Sequence, residues 1–137
     1  MIRIAIVEDE QLFREKILRY LHRYEEKNKQ SFSIKTFENG MQFLTDYRPE
    51  YDIIFMDIEM PYLSGMETAK RIRKVDSRTA IAFITNMANY AVQGYEVEAI
   101  DFIVKPFTYE VFEYKLGRIL SRTEDKREKS SIIVKSD

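Results

Sequence analysis

Short, unbroken apolar runs alternate with amphipathic stretches along this chain, and that rhythm restricts the fold more than any other feature. Residues 52–56 form a continuous apolar run, as a central parallel strand covered on both faces requires. Residues 2–8, 80–84 and 100–104 read the same way, and 32–37 alternates like a less buried strand. Between them, 11–26 carries Leu12, Phe13, Ile17, Leu21 and Tyr24 near a 3.6-residue period. Asn39 with Gln42 three residues on opens a short helix over 41–47. Ser64 with Glu67 forms a capping box for a helix carrying Met66, Ala69 and Ile72. Residues 88–95 read as a weak helix, and Thr108 caps a last one from 109 to about 122. The expectation is an α/β fold: a doubly wound, five-stranded parallel sheet with helices on both faces. Ligands bind such sheets beyond the carboxyl ends of the strands, where the strand order reverses.

A chain of 137 residues supports one domain with a real core. Its 45% hydrophobic and 33% charged residues describe a soluble globular protein rather than a disordered one. With 22 Lys and Arg against 23 Asp and Glu, no net charge draws it to nucleic acid or acidic membranes. The absence of cysteine excludes disulfides, thiolate zinc sites and cysteine nucleophiles. No run approaches the about 18 apolar residues of a membrane span, and the start lacks a signal-peptide layout. A cytoplasmic protein with no membrane partner is expected. Residues 1–122 are expected to form the domain. Residues 123–137 read as a charged linker, with 132–135 as the possible first strand of a missing domain.

The ends of the strands carry the chemistry. Glu8 and Asp9 follow the first, Asp57 the third, Thr85 the fourth and Lys105 the last. Neighbouring parallel strands would gather these groups on one rim. At about 4 Å, one like-charge pair costs roughly 4 kcal/mol at an effective dielectric near 20. A metal or Lys105 must therefore offset the repulsion. Mg²⁺ suits the set, being a hard cation that takes a few oxygens and bridges to phosphate. Asp9 and Asp57 are read as direct ligands, Glu8 as acting through water, and the Glu59 carbonyl as completing the share of the protein. Lys105 offers a point charge for a phosphate oxygen, and Thr85 a hydroxyl donor. A carboxylate such as Asp57 accepts a phosphoryl group once the charge on that group is neutralised.

The ordered set Glu8-Asp9, Met56-Asp57-Ile58-Glu59-Met60-Pro61, Ser64-Gly65, Thr85 and Lys105-Pro106-Phe107 resembles receiver domains of two-component response regulators. The resemblance covers about residues 2–122. It implies a flavodoxin-like fold and a phosphoacceptor at Asp57, loaded from a phosphohistidine on a sensor histidine kinase. It also implies Mg²⁺ at Asp9, Asp57 and Glu59 with Glu8 behind them, and Lys105 on the phosphoryl group. The bond to Pro106 would be cis. Thr85 would shift toward the phosphoryl group and the Phe102 ring would turn inward behind it, biasing a surface where receivers commonly form homodimers: the fourth helix, fifth strand and fifth helix. The stretch from Asn89 to Phe102 further resembles receivers joined to LytTR-type DNA-binding domains, so DNA would be reached only through an output domain that this chain lacks. Self-phosphorylation and its reversal would be the sole catalysis.

Other readings stay open beside this one. An acid after a strand is often a loop or cap residue, Thr85 and Lys105 singly are common surface groups, and Phe102 can be plain core. Phe13 reads either as part of a kinase-docking patch or as half-buried core, and His22 as a surface residue. Asn86 stands where receivers often carry a smaller residue, which would narrow access to Asp57. Met87 flanks the path of an attacking water that it cannot orient, which predicts a long-lived aspartyl phosphate. A haloacid dehalogenase-type phosphohydrolase would want a second Asp two residues after the nucleophile, where Glu59 stands. A flavodoxin-like nucleotide binder would want a glycine-rich cradle, and this chain has 4 glycines in all. A receiver-like interaction module that is never phosphorylated would not need the acid set.

Overall fold

The continuous apolar runs become strands of one sheet, because each is covered on both faces. The computed structural model describes the backbone of residues 1–86 and 93–135, and the side chains of 1–86, 94 and 96–124. In chain order the elements are β1 (Ile2–Val7), α1 (Gln11–Asn28), β2 (Phe32–Phe37), α2 (Gly40–Leu44), β3 (Ile53–Met56), α3 (Gly65–Arg73), β4 (Ala80–Thr85), a 3₁₀ turn (Gln93–Val97), β5 (Asp101–Val104) and α4 (Tyr109–Lys135). All neighbours pair in parallel, in the order β2-β1-β3-β4-β5. The order reverses between β1 and β3, so the crevice that such sheets offer a ligand opens where Glu8, Asp9 and Asp57 leave their strands.

Alternation along the strands divides the core in two. Ile4, Ile6, Ile53, Phe55 and Ile84 pack against Ile17 and Leu21 of α1 and Phe112 and Leu116 of α4. Ala5, Val7, Ile54, Met56 and Phe83 pack against Phe43 of α2 and Met66, Ala69 and Ile72 of α3. Each fully buried Ile, Leu or Phe contributes about 2 kcal/mol, so both faces are secured. β2 exposes much of its length, as its weaker alternation predicts.

Caps set the helix starts. The Asn39 side chain accepts from the Gln42 N–H at 2.8 Å, and the Ser64 hydroxyl from the Glu67 N–H at 3.1 Å. The Thr108 hydroxyl accepts from the Val111 N–H at 3.3 Å. The Glu67 carboxylate reaches along α3 to Arg71, at 3.8 Å.

One expectation meets a different backbone. α4 continues to Lys135, so 123–135 is helical here and not a linker followed by a strand. The segment after Gly117 holds no Gly or Pro and is rich in Glu, Lys and Arg, good helix formers even without core spacing. Of the weak helix expected over 88–95, residues 93–95 lie in the 3₁₀ turn, and Met87 and 88–92 lie outside the described residues.

Candidate functional site

Register brings the strand ends level: Val7 pairs with Met56, Met56 with Phe83, and Thr85 with Val104. The residues just beyond these pairs therefore share one rim. The N–H of Asp57 donates to the Val7 carbonyl at 3.1 Å, and that of Lys105 to the Thr85 carbonyl at 2.9 Å. Ligand oxygens of Glu8, Asp9 and Asp57 lie within 4.8 Å of one another, with Glu8 and Asp57 buried and Asp9 exposed.

Lys105 joins two of these acids. Its Nζ donates to Glu8 Oε1 at 2.6 Å and Asp57 Oδ2 at 3.0 Å, with its side chain 7% exposed. The face of Phe13 covers the ammonium, with the ring centroid 4.0 Å from Nζ. Asp57 Oδ1 accepts from the Glu59 N–H at 3.2 Å, which steadies the loop beyond β3. Arg14 donates to the carbonyls of Glu8, at 2.8 Å, and Asp9, at 3.2 Å, fixing the start of α1 against the end of β1.

These contacts set the proton affinities. Burial pushes the Glu8 carboxyl up to about 7; the Lys105 hydrogen bond opposes this, and the Asp57 charge adds to it. Burial alone would lower Lys105, but hydrogen bonds and charge from Glu8 and Asp57 outweigh it and hold the ammonium above its usual value.

Gly65 permits the geometry of the loop that carries Glu59. A Cβ there would lie 2.0 Å from the Asp57 carbonyl oxygen, and its N–H donates to the Ile58 carbonyl at 2.7 Å. The start of α3 can approach the acid strand this closely only without a side chain. Two clefts flank the rim. A cleft of about 230 Å³ is lined by Glu10, Phe13, Asp57, Glu59, Asn86, Lys105 and Pro106. A larger one, about 510 Å³, runs from Asp9 past Glu59 to Lys70.

Thr85 is buried at the end of β4. Phe102 is half-buried on β5, its ring 5.3 Å from that of Phe83 and against Gly94. The Lys105–Pro106 bond is cis. Glu59 is exposed and its carboxylate is not among the acids that converge at the rim. His22 is on the surface, 64% exposed, beside Glu25.

Sequence reasoning missed two contacts. Phe13 faces Lys105, which its place in the first turn of a helix following the acids could have suggested. Arg73 fastens the 3₁₀ turn: its guanidinium donates to the carbonyls of Val97 at 2.6 Å, Glu98 at 3.2 Å and Thr79 at 2.8 Å. A basic residue in the last turn of a helix gave no sign of that reach.

The rim fits a hard divalent cation, since three carboxylates converge and every donor is oxygen. Among the described residues no helix is long and apolar enough to cross a membrane.

The family model for the response regulator receiver domain matches residues 4–116. The sensory transduction protein LytT of Oceanobacillus iheyensis is 37% identical over 130 residues, covering 92% of this chain and 51% of that protein. The chain thus spans about half the length of the curated relatives it matches. The non-phosphorylated HemR receiver domain from Leptospira biflexa superposes with a TM-score of 0.77 at 27% identity, over 88% of this chain and 95% of that one. The response regulator TrrA from Thermotoga maritima, solved with Mg²⁺ and beryllium fluoride, gives 0.70 at 32%, over 87% and 99%.

Proposed function

This chain belongs to the response regulator receiver family, and from that premise we propose that it is a phosphorylation-switched module with Asp57 as phosphoacceptor. The observation that carries the reading is the buried Lys105 bridging Glu8 and Asp57 in a cleft beside exposed Asp9. An Asp57 carboxylate oxygen attacks phosphorus, and the bond from phosphorus to the imidazole nitrogen of a sensor histidine kinase breaks. The electron pair stays on that nitrogen. Lys105 then passes from the carboxylate to a phosphoryl oxygen, and Thr85 donates to another. Asp9, Asp57 and the Glu59 carbonyl would hold Mg²⁺, with Glu8 behind them; bound there, it neutralises charge on the transferring group. The solved TrrA complex with Mg²⁺ and beryllium fluoride supports this choice of ion.

The output is a change of partners. Phe102 turns inward as Thr85 moves, and the 3₁₀ turn, β5 and α4 become the contact face of a homodimer. Exposed Val104, Val111 and Tyr114 give that face apolar area, and Lys115 and Arg118 flank Asp101 at 2.9 and 3.9 Å. A two-fold contact of this kind pairs the attached output domains. The relatives are about twice as long and include proteins named transcriptional regulators, which supports residues 1–122 as the receiver and the segment from 123 as its connection to a LytTR-type DNA-binding domain. A cytoplasmic setting follows from the kinase partner. The dehalogenase-type hydrolase is not favoured, because Glu59 stands where it would want a second Asp and is not among the acids that converge at the rim.

The test is incubation with Mg²⁺ and acetyl phosphate, reading mass and oligomeric state. Wild type should gain one phosphoryl group and shift toward a dimer, and Asp57→Asn should do neither. An unmodified wild type would defeat the reading; many turnovers of added phosphomonoester would favour the hydrolase.

A further inference from the structure

We propose that Phe13 is a positioning residue for Lys105, its ring face holding the ammonium in place as that group changes partners on Asp57. The proposal rests on the reading of Lys105 as the partner of the phosphoryl group. An ammonium has three N–H donors. Two are committed to Glu8 and Asp57, at 2.6 and 3.0 Å, and the side chain is 7% exposed, so water is not the natural third partner. The Phe13 centroid stands 4.0 Å from Nζ, well inside the range over which a ring quadrupole attracts a cation.

Nearby Lys16 is the more distant cation at this ring: its Nζ is 5.8 Å from the Phe13 centroid, at the edge of that range, and closer to the Phe107 ring, at 4.7 Å. The Arg14 bonds to the Glu8 and Asp9 carbonyls fix the first turn of α1, and so hold Phe13 over the cleft it lines with Asp57 and Lys105.

The physical value lies in the shape of the attraction. A hydrogen bond to a carboxylate is directional, so Lys105 must break one to follow a phosphoryl oxygen. The pull of a ring face is not tied to one acceptor, so it counts most after the exchange, when Lys105 has given up the carboxylate bond that held it in place. It also keeps water from the charged pair, which strengthens that pair. The ring acts through Lys105 and touches no reacting atom.

Small donors separate this role from kinase docking. Beryllofluoride affinity in saturating Mg²⁺, by calorimetry, and the acetyl phosphate rate should be measured for wild type, Phe13→Leu and Phe13→Tyr. Leu keeps the apolar bulk and loses the quadrupole, so affinity should fall about 3- to 30-fold, while Tyr stays within about twofold of wild type. A second reading needs no ligand: the Lys105 ε-methylene protons should sit upfield under the ring current in wild type and Phe13→Tyr, and return to ordinary positions in Phe13→Leu. Equal affinities in Leu and wild type, equal losses in Leu and Tyr, or unshifted Lys105 protons would each overturn the proposal. Wild type that binds no beryllofluoride would instead overturn the phosphoacceptor reading, with the Phe13–Lys105 contact still decided by the proton shifts.

Discussion

At the rim between β1 and β3, Glu8, Asp57 and Lys105 hold one another through charged hydrogen bonds, each side chain less than a tenth exposed. On the flank beyond β4, Phe102 of β5 lies half-buried against Gly94 of the 3₁₀ turn, whose end Arg73 ties down through backbone carbonyls. The first region cannot rearrange without leaving a charge buried and unpaired, which costs several kcal/mol. The second can rearrange by giving up single guanidinium-to-carbonyl hydrogen bonds, worth about 1.5–3 kcal/mol each, with no opposite charge left unpaired. One part of the molecule is built to keep its geometry and the other to lose it cheaply, which is the division of labour a switch requires.

The sharpest way to break the contrast is at Gly65. Its added Cβ would collide with the Asp57 carbonyl, so Gly65→Ala should cost about 3 kcal/mol or more and lower the melting temperature by about 10 °C. Adduct formation with acetyl phosphate should fall with it. A Gly65→Ala protein that melts and reacts like wild type would show the rim to be looser than the flank.

Glu8 tests the same rim through pH. Its folded carboxyl is raised to about 7 from 4.5, so the folded state holds its proton where the unfolded chain has released it. Stability from this group is therefore full below about pH 4.5 and is lost as pH rises through about 7. In EDTA, wild type should lose on the order of 2–3 kcal/mol relative to Glu8→Gln across that window. Denaturant melts of both proteins at several pH values check this; a constant difference would contradict it.

The flank should respond more gently and more locally. Arg73→Met strands the Val97 and Thr79 carbonyls and should cost about 2 kcal/mol. Amide exchange at Ala99 and Phe102 should quicken more than at Ile6 or Ile54. Uniform quickening would mean that Arg73 supports the whole fold and not the turn.

The smallest effect is expected at Gly94. A Cβ there would lie 2.6 Å from the Phe102 ring, which can tilt on its half-exposed edge, so Gly94→Ala should cost about 1 kcal/mol. The Phe102 ring resonances should move, and the acetyl phosphate rate should stay near wild type. A lost adduct would join the two regions more tightly than their contacts indicate.

How far the residues could be read in advance differs between the two regions for a physical reason. Glu8, Asp57 and Lys105 each follow a continuous apolar run, and parallel pairing puts such ends side by side, so their meeting is nearly implied by their places in the chain. Gly94 and Arg73 meet their neighbours across 8 and 24 residues through loops of no regular pattern, and periodicity does not reach them. In the C-terminal segment core spacing and helix propensity point different ways. The 123–135 backbone is helical, as Glu, Lys and Arg favour without a face to bury.

The sequence alone determined the alternation of strands and helices, the parallel sheet, and the collection of acids, hydroxyl and ammonium at one edge, because strand burial and chain direction are local properties. Only the tertiary structure decided that Lys105 joins Glu8 to Asp57, that the Phe13 ring lies over the ammonium, and that one arginine holds the turn beside Phe102. Those contacts depend on the rotation of α1 about its axis and on the path of loops, which are settled when whole elements pack together.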